Sequence, residues 1–292
     1  MIHELEGLVF DNHFVSATPE ANDVVLHFRA GTCLAKLHEG VIVLPRLGDF
    51  ERVPEQLVYL FSIGETRYFL ALDDEVWVPD GWSYEGVRAF RPAGPADARF
   101  AAVTASQLDR WYRENRFCSC CGHPMELAPE SREIVCPACA HIVYPKICPG
   151  VICGVTSCEG GEERILLTRY AGRAHARWAL VAGYTEIGES AEGTVRREVM
   201  EEVGLSVRNI TYYKSQPWGF SDTLLMGYWC EADDEENITL QTSELKEARW
   251  FSRDEIQPRN DVDTESLTGE MIERFRLLGR AAWESDLEVS CA

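Results

Sequence analysis

The chain of 292 residues is short of positive charge. It carries 28 Lys and Arg against 48 Asp and Glu, a formal net charge of -20 with a sequence pI near 4.8. Non-specific binding to nucleic acid or to an anionic membrane needs basic surface, so this balance argues against both. It leaves open a small anionic substrate held by metal and a few arginines. No uninterrupted apolar run approaches the ~20 residues that a bilayer-spanning helix needs, so no membrane association is expected. The opening MIHELEGLVF lacks a basic stretch followed by an apolar one, so no secretory signal is expected either. There is no internal repeat and no low-complexity segment. What remains is ordinary for a soluble globular protein, with 46% apolar and 26% charged residues and length for two or three domains.

Cysteine is not scarce: the chain has 11. Their clustering points to metal ligation in a reducing compartment, hence a cytoplasmic protein. Cys118-x2-Cys121 is followed, fourteen residues on, by Cys136-x2-Cys139. Each pair precedes small or turn-forming residues. Four thiolates at this spacing suit tetrahedral Zn²⁺ with no position open for catalysis. The competing readings are two disulfides or free thiols. Cys120 allows an alternative Cys120-x-Gly register, although paired CxxC turns favour Cys118 and Cys121. His123 and His141 are read as bystanders. Cys33, Cys148, Cys153, Cys158, Cys230 and Cys291 show no metal spacing and are read as buried small apolar residues or spare thiols.

Residues 1–95 read as a β-rich domain, with VVLHF, GVIVL, LVYLFSIG, RYFLALD and EVWVP as strands between Gly, Pro and Asp turns. Its histidines are dispersed, and it shows no catalytic constellation. PAGPADA, residues 92–98, reads as a linker, and residues 96–116 as a linker helix. In that helix Thr104 is expected as a cap, with Leu108, Trp111 and Tyr112 on one face. The cysteine module covers 117–145 and a catalytic domain 146–292. In the latter, ICPGVICGVTS and ERILLTRY read as strands joined by an acidic glycine turn at 159–163. RNITYYKSQPW, DTLLMGYWCEA and ELKEARWFSRDEI read as further strands, and SLTGEMIERFRLLGRAAWES as an amphipathic C-terminal helix.

Residues 183–205, GYTEIGESAEGTVRREVMEEVGL, carry the chemistry. Glu198, Glu201 and Glu202 stand at i, i+3 and i+4, so one helix face presents three carboxylates. Like charges so placed repel, and packing alone gains nothing from them. A hard divalent cation, Mg²⁺ or Mn²⁺, removes the repulsion because it prefers oxygen ligands and keeps waters for chemistry. The bland alternative is a solvated acidic face. Gly204 suits a left-handed helix end, and Gly183 and Gly188 suit a tight loop leading in. Arg197 directly precedes Glu198, so it is expected off that residue's face, bracing the loop backbone with its fork of donors.

Together these features resemble the NADH pyrophosphatase family of Nudix hydrolases. Gly183, Glu189, Arg197, Glu198, Val199, Glu201, Glu202, Gly204 and Leu205 match the Nudix box without a gap. The cysteine module ending in Tyr144-Pro145 is similar to the family's zinc ribbon. Ser215-Gln216-Pro217-Trp218-Gly219-Phe220-Ser221 is similar to its SQPWPFPxS run. The resemblance covers about Phe117 to Arg280. Its departures are Gly219 and Ser221 where the family has prolines, and Thr223 in place of the final serine. Lost prolines imply a more flexible loop. Ser266-Leu267-Thr268-Gly269-Glu270 stands where an S-I-A-R run is usual, so an arginine position has become Glu270 or has lost its match.

The resemblance implies an α+β fold: an α/β/α Nudix domain with a β-rich, Nudix-like N-terminal domain and a small zinc-ribbon insert. It implies that Glu198 and Glu202 ligate the catalytic metal, with Glu201 as ligand or water-activating base and the Ala182 carbonyl as a further ligand. Glu244 aligns with a distal glutamate used as ligand or base, and Glu247 is its near competitor. Glu189 supports the loop or a second metal. Tyr184 and Trp218 look like an aromatic pair that sandwiches a base. Tyr144, Gln216, Pro217, Gly219, Phe220, Ser221, Asp222, Thr223 and Thr268 fall at substrate-contacting places. A glutamate the family uses between the cysteine pairs aligns with Ser131, so that role is not carried over to Glu130 or Glu133.

The implied reaction is metal-dependent hydrolysis of NAD(H) to nicotinamide mononucleotide and AMP by a homodimer. Three alternatives stand beside it. One is a broader nucleoside-diphosphate-X hydrolase acting on ADP-ribose or dinucleoside polyphosphates. The second is decapping of NAD-capped RNA. The third is a nucleotide-binding regulator without turnover.

Overall fold

The structure is a computed structural model. It describes residues 1–158, 161–172, 177–233, 237–259 and 265–283. Part of the turn expected at 159–163, Cys291 and the end of the expected C-terminal helix lie outside these residues. The chain forms two compact units: an N-terminal unit of Ile2–Ile147 with Gly219–Asp222, and a C-terminal unit that takes most of the chain from Cys148 onward.

In the N-terminal unit, a four-stranded sheet includes Leu57–Ile63 paired with Thr66–Ala71. A second is built on Thr32–His38, which pairs with Ser83–Gly86. Residues 75–79, EVWVP, form no strand. Pro79 lacks the N–H that a ladder needs, and the Asp80-Gly81 turn follows at once. Ser83–Gly86 was invisible to patterning because SYEG has no apolar alternation; its place is set by backbone pairing. Helix α1 spans Ala96–Glu114 and starts after Pro95, so Thr104 is interior and caps nothing. Residues 96–98, the end of the stretch read as linker, belong to this helix, and Ala98, Ala101, Ala102 and Ala105 are buried. Alanine is the best helix former and lets a helix pack closely. Leu108, Trp111 and Tyr112 are buried as expected. Three two-residue strands, Glu126–Leu127, Ile134–Val135 and Ile142–Val143, make the small sheet of the cysteine module.

The C-terminal unit is a six-stranded mixed sheet. Cys148–Ser157 pairs in parallel with Thr223–Ala232 and antiparallel with Arg164–Tyr170 and Val181–Tyr184. Val207–Trp218 and Leu245–Ser252 lie at the two edges. Side chains alternate across the sheet. Val151, Cys153, Val155 and Leu166 pack with Val195, Val199 and Val203 of helix α2, Ala191–Val203. Ile152, Ile165, Leu167 and Phe251 pack with Met271, Ile272 and Phe275 of helix α3, Leu267–Leu278. The result is an α+β fold with helix on both sheet faces.

Candidate active site

Helix α2 carries the acidic turn. It is started by Ser190, whose Oγ accepts from the Gly193 N–H at 3.1 Å, and ended by Gly204 at φ 71°. The stripe Val195, Val199, Val203 faces the core. Glu202 sits beside that stripe and is 1% exposed, whereas Glu201 lies toward solvent. Helical geometry alone therefore sorts three glutamates into one buried, one half-buried and one exposed.

Gly183 lies inside the strand Val181–Tyr184, paired with Val151, not in the lead-in loop expected of it. Its missing side chain has a purpose in space. A Cβ at position 183 would stand 1.9–2.2 Å from the carboxyl atoms of Glu198. The bare strand is the floor on which that carboxylate rests. Gly188, at φ +92°, is the true loop glycine.

Arg197 holds the site together. Its Nε donates to Glu189 Oε1 at 2.6 Å, and its Nη2 to Glu189 Oε2 at 2.9 Å and the Tyr184 carbonyl at 2.8 Å. Its Nη1 donates to Glu198 Oε1 at 2.8 Å and Glu201 Oε2 at 3.0 Å. The backbone brace was expected. The contact with Glu198 was not, because adjacent residues diverge on a helix; the length of the arginine side chain overcomes that divergence. Glu189 also accepts from the Glu186 N–H and the Thr194 hydroxyl. The Arg197 fork, first among these, holds the Glu189 carboxyl down at about 2.

Glu202 is the opposite case. Burial first, then the neighbouring Glu198 and Glu244, push its carboxyl up to about 8. The Ala182 backbone amide faces it and works the other way. Its Oε2 is buried with no hydrogen-bond partner. Glu198 is also pushed up, mainly by burial, against the pull of Arg197. A buried carboxylate oxygen without a donor, beside a second raised carboxylate, is the environment that a hard cation satisfies. In an extended strand a residue's N–H and C=O point to the same edge, so the Ala182 carbonyl also faces this side. The donor set is all oxygen and fits Mg²⁺ or Mn²⁺.

Glu244 precedes the strand Leu245–Ser252, is exposed, and is close enough to act on both Glu198 and Glu202. Its competitor Glu247 lies on that strand with its carboxylate 3.5 Å from Arg169. Thr223 joins the two aromatic residues. Its hydroxyl is 3.2 Å from the Tyr184 OH, and its backbone pairs with Trp218. Gln216 is fully buried, and its amide is spent locally: Nε2 donates to the Glu265 carbonyl and Oε1 accepts from the Leu267 N–H, both at 2.8 Å. It caps the start of α3. Thr268 lies in the first turn of that helix. Glu270 accepts from Tyr213 and Lys214 at 2.7 and 2.9 Å, which gives the changed position a structural partner.

In the N-terminal unit, Tyr144 is exposed, and Gly219–Asp222 form a turn. Arg110 of α1, which sequence reasoning passed over, donates to both the Gly219 carbonyl and the Asp222 carboxylate. A Cβ at Gly219 would stand 2.8 Å from the Val103 carbonyl. A side chain at position 219 would need that carbonyl to shift, and the Arg110 contacts tie both ends of the turn to α1.

The four cysteines converge, their ligand atoms all within 4.8 Å of one another. Two matching knuckles hold them: the Cys118 N–H donates to the His123 carbonyl and the Cys136 N–H to the His141 carbonyl, both at 2.8 Å. The two histidines thus contribute backbone, as bystander rings should. Cys120 is exposed and outside the cluster, which settles the register.

Comparison with known proteins agrees with this geometry. Residues 148–274 match the family model "NUDIX domain" and residues 113–144 the model "NADH pyrophosphatase zinc ribbon domain". The NAD-capped RNA hydrolase NudC of Pseudomonas aeruginosa is 38% identical over 195 residues, 67% of this chain and 68% of that protein. The chain belongs to the Nudix hydrolases of the NADH pyrophosphatase family. The NudC protein of Pseudomonas entomophila is similar to this Nudix hydrolase at 37% identity over 212 residues, 73% of this chain and 70% of that protein. Among solved structures, a Nudix hydrolase from Nitrosomonas europaea matches 56% of this chain and 92% of its own, with 23% identity and a TM-score of 0.46. The ribbon match and the cysteine cluster of this Nudix hydrolase support a structural zinc site.

Proposed function

We propose that the enzyme hydrolyses the pyrophosphate bond of NAD(H), releasing nicotinamide mononucleotide and AMP, with Mg²⁺ or Mn²⁺ at the acidic turn. The buried, partnerless Oε2 of Glu202 beside the Glu198 carboxylate carries this reading. Glu198, Glu202 and the Ala182 carbonyl would hold the ion, with Glu201 at its exposed side. When bound, such an ion offsets phosphate charge and lowers the pKa of a water ligand.

The chain's own residues do the rest. Gly183 gives the Glu198 carboxylate room. Arg197 fixes Glu189, the loop carbonyl of Tyr184 and two box carboxylates in one frame. Glu244, exposed beside the turn, accepts the proton from the attacking water. Tyr184 and Trp218, joined through Thr223, offer aromatic faces to a nicotinamide or adenine ring, an interaction of about 1–3 kcal/mol per base. The substrate roles of Tyr144, Phe220, Ser221, Asp222 and Thr268 belong to the same proposal, as do a homodimer and a cytoplasmic location.

NAD-capped RNA is the second reading, supported by the activity for which the Pseudomonas relatives are named. The net charge of -20 limits contact with a long RNA, so the cap is the recognised part. Incubation of purified protein with NADH and Mg²⁺ or Mn²⁺, followed by product separation, tests the main reading. Nicotinamide mononucleotide and AMP are expected. Intact NADH beside efficient cleavage of ADP-ribose would overturn the substrate and keep the reaction class.

A further inference from the structure

Thr194 is a poor choice for a residue that only packs. It is fully buried near the start of α2, next to Val195 of the core stripe. A β-branched residue is a weaker helix former than alanine, and a buried hydroxyl costs free energy unless it finds an acceptor. Two acceptors are within reach of its Oγ1: Glu189 Oε2 at 3.0 Å and the Ser190 carbonyl at 3.1 Å. The hydroxyl has one proton to give. The Ser190 carbonyl already accepts from the Thr194 N–H at 2.9 Å. Glu189 is a carboxylate, and bonds to an ionised acceptor are about twice as strong as neutral ones. The proton therefore goes to Glu189.

That bond completes a saturated carboxylate. Glu189 Oε2 accepts from the Glu186 N–H at 3.0 Å, the Thr194 hydroxyl at 3.0 Å and Arg197 Nη2 at 2.9 Å, while Oε1 accepts from Arg197 Nε at 2.6 Å. A carboxylate offers about four lone-pair sites, so these four donors leave none for an ion. Two roles were expected of Glu189, loop support and a second metal, and the donors fit the first. Arg197 is saturated as well. Its five N–H groups reach Glu189 twice, Glu198, Glu201 and the Tyr184 carbonyl. With no donor in reserve, the guanidinium cannot move toward one partner without leaving another. Where Glu189 stands therefore decides where the Nη1 end meets Glu198 and Glu201.

We propose that Thr194 is a positioning residue for the hydrolysis: its hydroxyl fixes Glu189 as the anchor of Arg197, and through that arginine it sets the carboxylates of Glu198 and Glu201. This rests on the reading that the acidic turn holds the divalent ion, and it is independent of which pyrophosphate is cleaved. Partners that orient metal-holding groups without touching the metal still govern its affinity. A threonine that only bonded back to the Ser190 carbonyl would serve the helix alone.

The test compares Thr194→Val, which removes the hydroxyl at nearly constant shape, with Thr194→Ser, which keeps it. Full-length, zinc-loaded protein is titrated with Mn²⁺, and the free ion is followed by electron paramagnetic resonance. Hydrolysis of NADH and of ADP-ribose and the melting temperature are measured beside it. Wild type should bind Mn²⁺ and Glu198→Gln should lose it. Thr194→Ser should match wild type. Thr194→Val should fold, bind Mn²⁺ roughly tenfold more weakly and lose kcat by a similar factor. Three results overturn the assignment. They are Thr194→Val equal to wild type in manganese affinity and kcat; Thr194→Ser as impaired as Thr194→Val; and a lowered melting temperature in Thr194→Val with manganese affinity and kcat intact, the mark of a threonine that serves only its helix. Wild type that binds no Mn²⁺, or binding that survives Glu198→Gln, would instead remove the reading of the acidic turn, and the assignment with it.

Discussion

The Glu198 carboxylate occupies the space that a side chain at Gly183 would fill, with a built Cβ falling 1.9–2.2 Å from its atoms. Strand and helix meet there without any side chain on the strand. The box glycine and the box glutamate, fifteen positions apart in sequence, are thus one structural unit.

Gly183→Ala tests that relationship. The obstructed group is the far end of a flexible side chain, so it can swing away and spare the fold. Melting temperature should change little. Turnover should fall about 10²-fold, because a displacement of ~1 Å at a reacting centre costs that much. Equal losses of stability and activity would show that position 183 matters for packing alone.

The buried Glu202 gives the metal-free protein a distinct pH response. Its folded pKa of about 8 stands above the ~4.3 of an unfolded glutamate. The folded state therefore holds the proton more tightly, and the stability this gives is complete below ~4.3 and lost as pH rises through about 8. Without divalent ions, the melting temperature should fall between pH 6 and pH 9. Glu202→Gln should flatten that fall, and added Mg²⁺ should restore stability at pH 9 only in wild type. A slope unchanged in Glu202→Gln would remove Glu202 as its source.

Glu189 responds in the other direction. Arg197 depresses its pKa to about 2, so its contribution is present above an unfolded value near 4.3 and is lost as pH falls toward 2. Arg197→Met should shift acid unfolding of the metal-free protein to higher pH and lower turnover as well. Acid unfolding at the wild-type pH would mean that the brace adds nothing to stability.

Much of this site was legible because its signals are local. Three glutamates on one helical turn and two CxxC pairs are fixed by spacing, and the structure places both as read. Gly183 was misplaced because its role is set by a helix packed across it, which no local pattern encodes. Arg110 was invisible because its partner Asp222 lies 112 residues away. Thr104 was misread as a cap because a hydroxyl ahead of an apolar stripe suits a helix start and a helix interior alike. EVWVP failed because alternation outweighed its terminal proline.

The Arg110 clasp is open to kinetics. Arg110→Met removes a charge-assisted contact of about 1.5–3 kcal/mol from the 219–222 turn. If that turn contacts substrate, KM should rise roughly tenfold or more while kcat holds. Arg110→Lys should not rescue it, because a lysine cannot reach both acceptors as a fork. Unchanged KM in both variants would confine the clasp to folding.

The central question for this enzyme is whether the acidic turn of α2 holds metal against a diphosphate. The direct measurement is manganese anomalous diffraction from crystals grown with a non-hydrolysable dinucleotide. It should place Mn²⁺ in bonding contact with carboxylate oxygens of Glu198 and Glu202 and with the bridging phosphates. Phosphates bound elsewhere, with Glu202 Oε2 still lacking any partner in fully loaded crystals, would contradict it.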